Sequence, residues 1–94
     1  GATTVGLIEV QLYDTPRVPG LKLERRAYIE ELIVAVKWRK RGCARALIDE
    51  AAKWARGRDA NELLLSVWEG NRDAVSFYDA VGFAPLTRML RRTL

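Results

Sequence analysis

Residues 32–47 read LIVAVKWRKRGCARAL, and this stretch decides how the chain is organised. Its first five residues are all apolar, which is typical of a strand buried on both faces of a sheet. From Gly42 onward the apolar residues follow helical spacing, with Ala44, Leu47 and Ile48 on one face. A buried strand that leads through a short basic connection into a helix predicts a layered fold of helices on a sheet.

Alternating strands and helices are predicted around this stretch. Gly57 and Gly82 are typical helix stops, Asn71 is a typical N-cap, and residues 14–20 form a turn-rich loop. The predicted elements are strands at 5–13 and 28–36, a helix at 42–56, a strand at 61–68, a helix running from its N-cap at 71 to 81, and a strand or strand pair at 83–94. This order predicts an α/β (α+β) architecture with a mixed sheet, in a single domain over residues 1–94.

The length and composition restrict the class of protein. A chain of 94 residues has room for one domain with a thin core. With 49% hydrophobic and 30% charged residues, the chain is too apolar to be disordered. We expect no membrane span, because no apolar run approaches the roughly 18 residues that a span needs. We also expect no secretory signal, because no basic region followed by an apolar run opens the chain.

The cysteine and histidine content excludes several kinds of site. Cys43 is the single cysteine and there is no histidine. An internal disulfide, a zinc site and a histidine-dependent triad are therefore excluded, and we expect no bound metal and a reducing, cytoplasmic location. The net charge of +4 favours an anionic partner, for which nucleic acid and a phosphorylated cofactor both qualify.

The connection at residues 39–45 has the features of a phosphate site. A helix N-terminus exposes unpaired backbone N–H groups and the positive end of the helix dipole. Gly42 and Ala44 are small enough for a ligand to approach this backbone closely. Four basic residues flank the same point: Arg39, Lys40, Arg41 and Arg45. Cations here oppose the dipole, which is easier to explain if an anion binds. The alternative is a solvated basic turn that only starts the helix.

Two motifs, in this order, resemble those of the GNAT acetyltransferase superfamily. Residues 32–47 are similar to its acetyl-CoA motif, an apolar strand followed by R/Q-x-x-G-x-G/A, here Arg39, Gly42 and Ala44. Residues 71–83, NRDAVSFYDAVGF, resemble its N-x-x-A-x-x-F-Y followed by G-F. The resemblance covers about residues 28–90 and implies a mixed, mostly antiparallel sheet flanked by two helices. It also implies that the family's first strand and first two helices are not part of this sequence.

The resemblance assigns a set of acetyl-CoA contacts to this chain. Backbone groups of Leu32, Ile33 and Val34 would pair with the pantetheine arm, much as an added strand does. Asn71 would contact the cofactor's amide chain, and the strands around Ile33 and Trp68 would diverge to admit it. The pyrophosphate would be held by the helix start and its basic flank: Arg39, Lys40, Arg41, Gly42, Cys43, Ala44 and Arg45.

By the same resemblance, Tyr78 would lie near the cofactor's sulfur and protonate the departing thiolate. A phenol suits this role because it carries a donor O–H on an apolar body. The alternative is packing, since Tyr78 lies on the helix face that also carries Ala74, Phe77 and Val81.

Glu30 is the candidate base. The stretch YIEE at residues 28–31 resembles Y-[IL]-[ED]-[ED] of small-amine acetyltransferases, in which the first acid is the proposed base. Because neighbours on a strand point to opposite faces, we expect one of Glu30 and Glu31 at the cleft and the other on the opposite face. A solvated or salt-bridged carboxylate on the strand is the alternative for Glu30.

The resemblance implies an acetyl-CoA-dependent N-acetyltransferase in which a primary amine attacks directly in a ternary complex. The acceptor would be a small-molecule amine or a protein amine. A CoA-binding or interaction module without turnover is one alternative. Nucleic-acid binding is disfavoured, because the basic residues cluster at one helix start. A homodimer is also expected, because a missing layer would leave apolar sheet exposed.

Overall fold

The computed structural model describes residues 6–16, 20, 22–34 and 42–94, which form a mixed three-stranded sheet and two helices. The sheet order is β1-β2-β3, with β1 antiparallel and β3 parallel to β2. The α/β architecture predicted from the sequence is thus confirmed, and α1 is the crossover between the two parallel strands. The elements are β1 Gly6–Pro16, β2 Leu23–Val34, α1 Cys43–Arg56, β3 Glu62–Leu64 and α2 Arg72–Ala80.

The core lies between α1 and one face of the β1–β2 hairpin. Apolar residues of β1 alternate with exposed polar ones, so that one side of the hairpin can face the helix. The apolar face of helix α1 packs against both strands. Within the described part of the chain, the buried residues are all small or medium in size: Ala27, Ile29, Ile48, Ala51 and Ala55. A core of this kind is thin, as the chain length predicts.

A β-bulge interrupts the hairpin at Glu30. Glu9 pairs with Glu31 and Val10 pairs with Ile29, which leaves Glu30 as an extra residue on β2. The extra residue resets the alternation of the strand: Ile29 is buried, whereas Glu30 and Glu31 are both exposed. The expectation that the two glutamates point to opposite faces is therefore wrong, and both lie on the face away from α1.

The helix ends agree with the sequence signals. Asn71 is the N-cap of α2, where its side-chain Oδ1 accepts a hydrogen bond from the Ala74 N–H at 3.3 Å. Gly82, just beyond α2, has a φ of +102°, a conformation that glycine adopts at little cost. Neither helix in the described part of the chain has the length and hydropathy needed to cross a bilayer.

The strands differ more from the prediction than the helices do. The hairpin is longer, because β1 continues to Pro16 and β2 already begins at Leu23. Strand β3 covers only Glu62–Leu64 instead of 61–68. Leu32 and Val34 are half-buried and Ile33 is 47% exposed, so this end of β2 is not buried on both faces as predicted. The predicted strand residues 35–36 lie outside the described residues.

The prediction of a strand or strand pair at residues 83–94 is wrong. This segment has no regular secondary structure. A strand needs both a hydrogen-bonding neighbour and a surface that covers its apolar side chains. Leu86, Leu90 and Met89 are exposed, Met89 to 98%, so they pack on no such surface within the described structure.

Candidate functional site

Helix α1 opens without a side-chain cap. Gly42, at the N-cap position, adopts a left-handed conformation and makes no side-chain cap hydrogen bond. The first helical bond runs from the Ala46 N–H to the Gly42 carbonyl, at 3.0 Å. The N–H groups of Cys43, Ala44 and Arg45 therefore precede the helical ladder, and the first turn contains no acidic residue. The positive end of the helix dipole is thus available to an anion.

No atom of the described residues occupies the position that a side chain at Gly42 would take. A Cβ atom added at Gly42 would meet no described atom within 4 Å. Cys43 and Ala44 are half-buried, Arg45 is exposed, and the Cys43 thiol is free. The structure thus gathers four of the predicted pyrophosphate residues at one point: Gly42, Cys43, Ala44 and Arg45. The other three lie outside the described residues, and their role stays a prediction: Arg39, Lys40 and Arg41.

Strands β2 and β3 are paired over only three positions, the last of which joins Tyr28 to Leu64. Beyond this pair β2 continues to Val34 and, in the part of the chain described, pairs there with β1 alone. The edge of β2 at Leu32 and Ile33 is therefore not covered by β3. An extended ligand chain could lie along an edge of this kind.

The start of α1 and this uncovered edge lie at the same end of the sheet. Gly6 pairs with Val34 at the end of β2. A Cβ atom at Gly6 would come within 2.8 Å of the Ile33 carbonyl oxygen and 3.0 Å of Leu47 Cδ1. Because Leu47 is on the second turn of α1, the helix begins close to the end of β2, and a glycine is needed for this close approach. One extended molecule could reach both features.

A hydrogen bond between side chains joins β2 to the chain that follows β3. The Tyr28 hydroxyl is bonded to Ser66 Oγ, two residues beyond the last paired position of β3. The bond therefore lies next to the position at which the two strands stop pairing.

Glu30 lies on the face of the sheet away from α1, and its carboxylate is bound by Tyr13. The Tyr13 O–H donates to Glu30 Oε1 at 2.8 Å. This bond to a carboxylate raises the pKa of the Tyr13 phenol above its ordinary value of 10.0, so the phenol remains the donor at neutral pH. The two side chains share a shallow, open cavity of about 440 Å³ with four further residues: Thr15, Arg26, Tyr28 and Leu64.

Tyr78 is positioned by the way in which α2 ends. The Phe83 N–H donates to the Tyr78 carbonyl at 2.9 Å and the Gly82 N–H donates to the Asp79 carbonyl at 3.1 Å. This pair of bonds is a Schellman motif, which brings the residue after the glycine against the last turn of the helix. The Phe83 ring accordingly meets Tyr78 edge-on at a centroid distance of 5.7 Å, and Phe77 lies at 5.4 Å.

The surroundings of Tyr78 affect its ionisation. Burial raises the pKa of the Tyr78 phenol above its ordinary value of 10.0. A phenol in this state keeps its proton at neutral pH and can donate it. Its ring also packs on Phe77 and Phe83, as the packing alternative predicts. Among the described residues, Tyr78 and Glu30 share no hydrogen bond or ring contact.

The side chain of Asn71 is already engaged in the structure. Its Oδ1 caps α2 through Ala74, which leaves the NH₂ group as the donor that could reach a cofactor. The predicted contact between Asn71 and acetyl-CoA therefore stays a prediction, restricted to this one group.

Two tyrosines near Glu30 were not identified from the sequence. Tyr28 could have been found, since it lies two residues before Glu30 on a predicted strand and so shares its face. Tyr13 could not, because its approach to Glu30 depends on the register of the hairpin. That register is set by the connection between β1 and β2, for which the sequence gives no unique geometry.

Comparison with known proteins identifies both fold and family. The chain is 30% identical over 59 residues to the uncharacterized N-acetyltransferase YobR of Bacillus subtilis (strain 168), a match that covers 63% of this chain and 24% of that protein. A mutant of the BH1408 protein from Bacillus halodurans has a similar structure, with a TM-score of 0.86 and 21% identity. The aminoglycoside N-acetyltransferase AAC(6')-Iy in complex with CoA has a TM-score of 0.79 and 20% identity.

These relatives are longer than the chain. BH1408 is matched over 57% of its length by 95% of this chain, and AAC(6')-Iy over 66% of its length by 96% of this chain. At identities near 20% the two structures establish the shared fold. The model of the acetyltransferase (GNAT) family matches residues 2–83, most of the sequence. The chain therefore belongs to the acetyltransferase (GNAT) family.

Proposed function

We propose that this chain binds acetyl-CoA and takes part in moving its acetyl group to a primary amine. The observation that carries the proposal is the uncapped start of α1, which lies at the same end of the sheet as the uncovered edge of β2. A diphosphate at the helix start would place an attached extended chain along Leu32 and Ile33. Family membership supports acetyl-CoA as the molecule that fits both features.

The residues that would bind the cosubstrate follow from this placement. The N–H groups of Cys43, Ala44 and Arg45 would receive the diphosphate, and the adjoining basic residues Arg39 and Lys40 would balance its charge. Backbone groups of β2 would hold the pantetheine arm. A backbone N–H near Ile33 or Val34 would polarise the thioester carbonyl.

The proposed reaction uses Glu30 and Tyr78 for two proton transfers. Glu30, directly or through water, takes a proton from the ammonium group, and the free amine then attacks the thioester carbonyl carbon. As the new C–N bond forms and the C–S bond breaks, Tyr78 gives its phenolic proton to the sulfur. The second amine proton leaves to solvent, and the Tyr78 phenolate recovers its proton from water. Holding both reactants in one cleft supplies much of the rate gain.

We propose a small-molecule amine as the acceptor. The structural neighbour AAC(6')-Iy is named for acetylation of aminoglycosides, which are small molecules carrying amines. On this chain, Glu30 lies in an open cavity beside Tyr13 and Tyr28, where its carboxylate could bind an ammonium group; Arg26, which lines the same cavity, acts against a second positive charge. We further propose that residues 1–94 form one domain.

Two measurements on the same preparation test the proposal. Calorimetric titration should show binding of acetyl-CoA, and a thiol-release assay with a panel of small primary amines should show transfer. Release of CoA that requires an amine supports the enzyme. Binding of acetyl-CoA without transfer to any amine would instead support the CoA-binding module.

A further inference from the structure

The hydrogen bond between Tyr13 and Glu30 is not explained by packing. Both side chains are on the exposed face of the sheet, and Tyr13 itself is 47% exposed. A side chain on this face could satisfy its polar group with water at little cost. The pair nevertheless forms a bond at 2.8 Å within the cavity that the proposed acceptor would enter.

The bulge explains why Glu30 needs a partner of this kind. As the extra residue on β2, Glu30 has no opposite residue on β1 whose side chain could restrict it. Tyr13 pairs instead with Arg26, four residues away from Glu30 along β2. The phenol must therefore extend lengthwise along the sheet to reach the carboxylate. Tyrosine covers this distance with few rotatable bonds, so the ordering entropy is small.

We infer that Tyr13 is a positioning residue, whose hydroxyl holds Oε1 of Glu30 and thereby presents Oε2 to the acceptor amine. The inference rests on the proposed function, in which Glu30 is the base. A carboxylate restrained at one oxygen loses most of its rotamer freedom before the amine arrives. The other oxygen stays available as an acceptor, because the hydroxyl of Tyr13 can donate only one hydrogen bond.

Phenol ionisation tests the pairing independently of activity. Absorbance at 295 nm is followed through alkaline pH for the parent and for Tyr13→Phe, and the difference isolates the titration of Tyr13. Glu30→Ala should move this titration to lower pH, because the bond that raises the pKa of Tyr13 is lost. Glu31→Ala is the matched control, since it removes a neighbouring carboxylate that makes no bond to Tyr13 in the described structure. Equal titrations in the parent and both alanine variants would overturn the inference.

A double-mutant cycle tests the positioning role. Tyr13→Phe should lower kcat for the amine by roughly ten- to a hundredfold, the range expected for one hydrogen bond to a charged group, and leave the KM for acetyl-CoA unchanged. In the Glu30→Gln background, Tyr13→Phe should not lower kcat any further, because Tyr13 acts through Glu30. A loss from Tyr13→Phe that is equal in both backgrounds would overturn the inference.

The cycle also separates this inference from the proposed function. If Glu30→Gln greatly slows transfer while Tyr13→Phe does not, Glu30 is supported as the base and the positioning role of Tyr13 is refuted. If Glu30→Gln transfers at the parental rate, the base assignment fails and Tyr13 has nothing to position. A chain that binds acetyl-CoA but transfers to no amine would overturn both the transfer reaction and the catalytic reason for the pair.

Discussion

Tyr78 illustrates how a side chain can be placed by backbone geometry several residues away. Gly82 ends α2 in a left-handed conformation, which allows Phe83 to fold back against the helix. The ring of Phe83 then limits the positions open to the ring of Tyr78. The spacing F-Y-x-x-x-G-F in residues 77–83 thus has a physical basis that does not depend on any function.

The first prediction concerns the proton donor. Tyr78→Phe should retain acetyl-CoA affinity, because the ring and its contacts remain, and should lower kcat by about a hundredfold or more, because the donor is lost. Calorimetry gives the affinity and thiol release gives the rate. Transfer at the parental rate would show that Tyr78 serves packing alone.

The second prediction concerns pH. Burial raises the pKa of Tyr78 above its ordinary value of 10.0, so the folded chain loses the phenolic proton only at a higher pH than a free tyrosine does. If Tyr78 is the acid, kcat should show no alkaline decline due to this group until the pH exceeds about 10. The rate should be followed from pH 7 up to the onset of unfolding, monitored by circular dichroism. A decline near pH 8 that Tyr78→Phe abolishes would leave Tyr78 as the acid but would show that burial does not raise its pKa.

The residue pattern alone could not show on which face of the sheet Glu30 and Glu31 each lie. Strict alternation predicts opposite faces for Glu30 and Glu31, and this prediction fails because the bulge adds one residue to β2. No residue type in YIEE is specific for a bulge, so the sequence gives no local signal for it. Asn71, by contrast, was recognisable as an N-cap because its side chain acts on the backbone only three residues away.

At the scale of elements, Arg25 links the hairpin to the end of α1. Its guanidinium donates two hydrogen bonds to Asp14, at 2.7 and 3.2 Å, directly across the β1–β2 pair. It also donates to the Arg58 carbonyl at 2.9 Å, and its own carbonyl accepts from the Asn61 N–H at 2.9 Å. One residue thus fixes the hairpin register against the turn that leads into β3.

The third prediction follows from the effect of Arg25 on Asp14. Hydrogen bonds from Arg25 hold the pKa of Asp14 below its ordinary value of 3.8. The folded state therefore binds this proton less tightly than the unfolded state does, and the stabilisation is present above pH 3.8 and lost as the pH falls below it. Asp14→Asn should lower the urea midpoint at pH 7, by a small amount that salt reduces, and the difference should become smaller at pH 3, below the ordinary pKa of 3.8.

Circular dichroism in urea at both pH values measures this difference. A midpoint difference of equal size at the two pH values would mean that the ion pair does not cause it.

Helices were easier to predict than strands, for a physical reason. The stripe on α1 and the caps of α2 are local signals, and both helices appear within a residue or two of their predicted bounds. Strands depend on distant partners. Residues 83–94 have strand-like composition, but the described structure offers them no neighbouring strand, and they form none.

At the scale of the whole molecule, stability rests on few buried side chains. Among the described residues, five form the buried core, and Ile48, which is 4% exposed, is one of the two largest of these. Helix α2 contributes no buried residue. The folding free energy is therefore concentrated between α1 and the hairpin.

The fourth prediction tests whether the folding free energy comes mainly from the packing of α1 on the hairpin. Ile48→Ala should lower the free energy of unfolding by roughly 2–5 kcal/mol, whereas the matched control Ile48→Val should cost about 0.5–1.5 kcal/mol. Urea denaturation followed by circular dichroism provides both values. A loss below about 1 kcal/mol for Ile48→Ala would show that the stability lies elsewhere.

The central claim is that the start of α1 receives a diphosphate, and one matched pair of variants tests it. Gly42→Gln and Gly42→Glu impose the same left-handed strain and start from the same position, where a Cβ meets no described atom, but only the second adds a negative charge. A carboxylate there suits the helix dipole and repels a diphosphate. In calorimetric titrations with acetyl-CoA at low salt, we predict at least about tenfold weaker binding for Gly42→Glu than for Gly42→Gln, with equal or higher thermal stability. Equal affinities in the two variants would contradict the account.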